Sequence, residues 1–151
     1  MTLILNYVLT SLAAGVLGGS AMLVVMTAMT RAGLARGNMV VALGGIVTRS
    51  RDNALRVGLI LHTLSAIGFA MVYAMGMLWL GATGLPKALI IGAAAGFFHG
   101  LIVSLGLVWV VAEGHPFEEY TDAGLAVGLI HLVGHVAYGA VVGLVIGISP
   151  L

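Results

Sequence analysis

The chain has 151 residues, 61% of them hydrophobic and 7% charged, with a formal net charge of +1. A water-soluble domain of this size carries roughly 25% charged residues, so lipid rather than water has to face most of this surface. The lack of a basic patch excludes a nucleic-acid partner, and the lack of cysteine excludes disulfides, thiolate zinc sites and cysteine nucleophiles.

The length suits one domain, residues 1–151. Crossing about 30 Å of hydrocarbon takes about 20 apolar residues. In chain order, the first segment that qualifies is Tyr7–Thr30, with no Asp, Glu, Lys or Arg. No Lys or Arg precedes its apolar run, so it reads as an uncleaved first helix rather than a signal peptide. Met22, Met26 and Met29 share one face of it with Ser11, Gly15 and Gly18. Residues 31–56 follow, with every arginine in the chain: Arg31, Arg36, Arg49, Arg51 and Arg56. Inside them NMVVALGGIVT (38–48) is apolar but too short to span. It predicts a short interfacial helix lying at the headgroups. A re-entrant dip, helped by Gly44 and Gly45, is the alternative.

Val57–Leu80 is the second span and contains His62, Ser65 and Tyr73. A turn, GATGLPK, leads to the third span, Ala88–Ala112, which contains His99. The acidic loop EGHPFEEYTD (113–122) carries Glu118, Glu119 and His115. It reads as a solvated turn in which Thr121 or Asp122 caps the next helix. The fourth span, Ala123–Ile148, holds His131, His135 and Tyr138.

Lipid forces the backbone to satisfy its own hydrogen bonds, so these spans are helices. The expected fold is an all-α membrane protein, four antiparallel transmembrane helices in a compact bundle. The positive-inside rule puts the arginine loop in the cytoplasm and both termini on the opposite side. The acidic loop shares the arginine face, and the two can pair. Glycines recur every fourth position at Gly92, Gly96 and Gly100 and at Gly139, Gly143 and Gly147, the pattern of closely packed helices.

At about 1.5 Å per residue, His62, His99, His131 and His135 fall between roughly 8 and 20 Å from the cytoplasmic boundary. Each lies on the small-residue side of its helix, where intramembrane polar groups face inward. Three uses stay open. The rings can hydrogen-bond one another, Ser65, Tyr73, Tyr138 or carbonyls. With Met22 they can ligate a transition metal, and thioether plus imidazole favours copper. A single bis-histidine haem is the other cofactor they could hold. They can also serve an ion, proton or metal path. No nucleophile–base set, P-loop or dinucleotide fingerprint appears, so no catalytic residue is assigned.

The stretches GGSAMLVVMTAMT (18–30), LHTLSAIGFAMVYA (61–74) and GHVAYGAVVGLV (134–145) resemble a family of small bacterial four-helix membrane proteins of unknown function. The resemblance implies a four-helix integral membrane fold and points to His62, His135, Tyr138 and Gly139. On these grounds the leading functional expectation is a non-enzymatic accessory or scaffold subunit of a larger inner-membrane complex. Its partners would be the bilayer and either other membrane subunits or copies of itself. A metal-binding membrane protein and a small conductor are the alternatives.

Overall fold

The computed structural model describes residues 2–34, 38–106, 112–121 and 124–151. They form five α-helices: α1 Leu3–Arg31, α2 Met39–Thr48, α3 Arg51–Trp79, α4 Lys87–Gly106 and α5 Leu125–Ile148, with a 3-10 turn at Glu118–Tyr120. No strand occurs among the described residues. Helices α1, α3, α4 and α5 are long and apolar enough to cross a membrane by length and composition.

Local chemistry sets the helix ends. Thr2 caps α1 by accepting from the Leu5 N–H, and Asn38 caps α2 by accepting from Val40 and Val41. α1 and α3 end alike. Gly33 and Gly81 take the left-handed conformation (φ 79° and 60°), and the Leu34 and Ala82 amides return to the Met29 and Met77 carbonyls. Glycine suits both sites because a Cβ would crowd the following carbonyl there. Arg49 stops α2 in the same region (φ 49°) without that advantage.

The helices pack side by side in the order α2, α3, α1, α5, α4, and α3 meets α4 only sparsely. Alanines 14, 66, 70, 74 and 88 fill the centre with Met77, Tyr138, Val142 and Ile146. The α4–α5 seam is backbone against backbone. A Cβ on Gly96 would overlap the His135 carbonyl, and one on Gly139 the Gly92 carbonyl. The glycine stripes read from the sequence therefore meet one another. Gly15 allows α1 the same approach to Ile67 of α3. The outer faces are apolar, with Ile4, Leu64, Val72, Trp79, Phe98 and Ile102 exposed.

Two expectations need correction. α3 begins at Arg51, six residues before the expected Val57. Hydropathy misses that turn because its charged residues are no obstacle to helix, and Asp52 suits the N-terminal dipole. α2 has almost the expected bounds. Gly44 faces the Ala54 carbonyl and Gly58 faces the Val40 carbonyl, so α2 runs back along the first turns of α3. The second correction concerns the acidic loop and comes with its side chains below. Part of the expected third span, residues 107–111, and the start of the fourth, residue 123, lie outside the described residues.

Candidate functional site: a histidine-walled cavity

Because α3 and α4 barely touch, a cleft is left between them, closed behind by α5 and α1. It holds a cavity of about 190 Å³ walled by His62 of α3, His99 of α4, His135 of α5 and Met22 of α1. Ser65, Phe69 and Tyr138 line it as well, and Met39 and Leu43 of α2 cover one end. Of the four histidines on the long helices, His62, His99 and His135 line this cavity, and Met22 lines it with them.

Each of the three rings is held through one nitrogen. A carbonyl oxygen only accepts, so the bond it makes decides which ring nitrogen carries the proton. His62 Nε2–H donates to the Gly19 carbonyl (3.2 Å). His135 Nδ1–H donates to the His131 carbonyl one turn back (2.8 Å). His99 Nδ1 meets the Tyr73 hydroxyl at 3.3 Å. His62 Nδ1, His99 Nε2 and His135 Nε2 are left without a protein partner among the described residues. The His99 and His135 rings meet edge to face with centroids 4.7 Å apart. Phe69 lies 4.0 Å from the His99 ring and fixes its other side.

His131 goes elsewhere. It is buried, its Nδ1–H donates to the Val127 carbonyl (2.7 Å), and it does not line the cavity. Of the expected hydrogen-bond partners, Tyr73 reaches His99. Tyr138 instead donates to the Ala66 carbonyl (2.6 Å), and its ring packs against that of Tyr73 (5.8 Å). Ser65 lines the cavity without bonding a histidine among the described residues. No three side chains of the His, Cys, Asp and Glu type are placed to hold a metal ion among the described residues. The three imidazoles share a wall without closing on one point. A donor set here would be two imidazoles and a thioether.

The acidic loop is a second polar cluster. His115 is 7% exposed, which corrects the expectation of a solvated turn. Its Nε2–H donates to the Ala42 carbonyl of α2 (3.0 Å), and its Nδ1 accepts from the Phe117 amide (3.0 Å). Phe117 is buried against Gly45. Arg51 lies over the Phe117 ring (4.6 Å) and forks onto both oxygens of Glu119 (2.5 and 2.7 Å). That fork holds the Glu119 carboxyl down to about 2. The expected pairing of arginine and acidic loops is present. Thr121 does not cap α5: its hydroxyl donates to the Glu118 carbonyl, and Gly124 is the N-cap. Asp122 lies outside the described residues. Phe117 was the missed residue, and its signal was an aromatic at the centre of an otherwise acidic loop.

No family model, curated protein or solved structure matches this chain, so the functional reading rests on the site itself.

Proposed function

We propose that the chain is a four-span integral membrane protein of a bacterial inner membrane that binds monovalent copper in the cavity between α3 and α4. The membrane reading is supported by the four long apolar helices and by their exposed apolar faces. Alternating sense is supported by the order of contacts. Gly15 and Gly19 of α1 meet Ile67 and then Ala66 of α3, and Gly92, Gly96 and Gly100 of α4 meet Gly139, His135 and Leu132 of α5. The arginine-rich end then faces the cytoplasm and both chain ends face outward.

The observation that carries the copper reading is one cavity walled by His62, His99, His135 and Met22. Nitrogen and thioether donors with no carboxylate suit a soft cation, and copper(I) is satisfied by two or three of them. His62 and His135 each spend an N–H on a carbonyl and keep the opposite nitrogen spare, which is how metal-binding imidazoles are oriented. His99 and His135 would hold the ion, Met22 would add the thioether, and His62 would complete the wall. The remaining apolar lining keeps water and competing anions away.

The test is a copper(I) competition titration against a chromophoric chelator, on protein in mild detergent under reductant. One ion per chain is expected. His135→Ala and His99→Ala are each expected to weaken binding at least tenfold, while His131→Ala leaves it within about twofold. Less than one ion per several chains, or equal loss with His131→Ala, ends the reading. Stoichiometric co-purification of another membrane chain without copper would put the accessory-subunit reading in its place.

A further inference from the structure

A second, larger cavity of about 410 Å³ lies at the arginine-rich end, between the last turns of α1, the start of α2 and the first turns of α3. Its lining is divided. Leu23, Met26, Leu55 and Leu59 form an apolar trough. Thr27, Thr30, Arg31 and Asn38 supply the polar part. No Asp or Glu lines it among the described residues.

The polar part is a set of unspent donors. Arg31 has no carboxylate partner among the described residues, where the one ion pair is Arg51 with Glu119. The Asn38 side-chain oxygen is used in capping α2, which leaves its NH2 group free of protein partners among the described residues. The ten-residue helix α2 also begins here, and its N-terminus favours negative charge. A guanidinium forks onto phosphate oxygens. One wall therefore asks for an anion while the other asks for hydrocarbon, and 410 Å³ is more than an inorganic phosphate fills.

From this we infer that the groove is a binding site for an anionic phospholipid. The phosphodiester sits against Arg31 and Asn38, and the start of an acyl chain runs down the trough over Met26 and Leu59. This rests on the membrane reading above, because it requires Arg31 at headgroup level and the trough opening to lipid. It is independent of copper.

The test uses purified full-length protein in mild detergent, titrated with dioleoyl phosphatidylglycerol or dioleoyl phosphatidylcholine and followed by native mass spectrometry. Phosphatidylglycerol is expected to be retained more tightly than phosphatidylcholine. Arg31→Gln is expected to reduce that preference about fivefold, the effect of one basic residue at an anionic headgroup. Leu59→Trp fills the trough and is expected to displace both lipids with all charges in place. Arg49→Gln, outside the groove, is expected to change nothing, which separates a built site from the general charge of that end. Inorganic phosphate at the same concentration is expected not to compete. Equal loss with Arg49→Gln, an unchanged preference in Arg31→Gln, unchanged retention of both lipids in Leu59→Trp, or competition by phosphate alone overturns the inference. Failure of the membrane reading would show separately, as release of the protein from membranes by alkaline carbonate.

Discussion

His131 and His135 differ by one helical turn, and that turn separates their roles. Four residues advance a helix by about 6 Å and rotate it by about 40°. The distance is enough to carry His131 away from the cleft while its carbonyl orients His135. The same scale governs the loop pair. Glu119 keeps its charge far below the ordinary carboxylate range because Arg51 forks onto it. A depressed folded-state pKa adds stability above the unfolded value and loses it as pH falls through the folded one. The pair is therefore expected to weaken progressively below the ordinary value of 4.5 and to be gone near about 2. Amide exchange over residues 112–121 checks this. It should stay slow at pH 5 and speed up toward pH 2 in the wild type, and be fast already at pH 5 in Glu119→Gln. Both groups are solvent-exposed, so the pair orders a loop more than it stabilises the bundle.

Among elements, the α4–α5 seam positions the site. Gly96 lets α4 rest directly on the backbone of His135, and the same contact brings the His99 and His135 rings together. Gly96→Ala is expected to cost about 1–3 kcal/mol, because backbone cannot yield as a flexible side chain can. Gly76→Ala, where a Cβ meets nothing within 4 Å, is expected to be near neutral. Unfolding in mixed detergent micelles measures both, and Gly96→Ala should also weaken copper binding by displacing His135. The elements were largely legible beforehand. Uncharged apolar runs gave α1 and α5 to within a few residues, because burial of apolar side chains is local and additive. The start of α3 was not legible, since RDNALR is a helix with Asp52 at its N-terminal dipole and tertiary support from α2, neither of which a hydropathy pattern contains. The docking of α2 was visible only as the Gly44–Gly45 pair, read as an aid to a re-entrant dip, and what the pair touches is Ala54 and Phe117.

For the whole molecule, the membrane reading makes a direct prediction about accessibility. The chain has no cysteine, so single cysteines report position without background. Ser50→Cys, at the arginine end, is expected to react with an impermeant maleimide only after intact cells are opened, and Gly84→Cys is expected to react from outside. The opposite pattern would invert the topology, and labelling of both from outside would remove the four-span arrangement. The whole molecule also explains why the site was only partly readable. Counting residues from each helix end placed His62, His99, His131 and His135 within a few turns of one another, and His62, His99 and His135 line one cavity. Depth did not exclude His131, and it did not tell that His115 leaves solvent to bond Ala42 across 73 positions of sequence.

The sequence alone determined the four long apolar helices and the concentration of arginine between the first two, because the apolar runs follow from the transfer free energy of a continuous stretch. Only the tertiary structure decided that α3 and α4 stand apart while α5 carries α4 against it, since rotation and spacing of helices depend on contacts between distant residues. That spacing makes a cavity of His62, His99, His135 and Met22, and it leaves His131 outside.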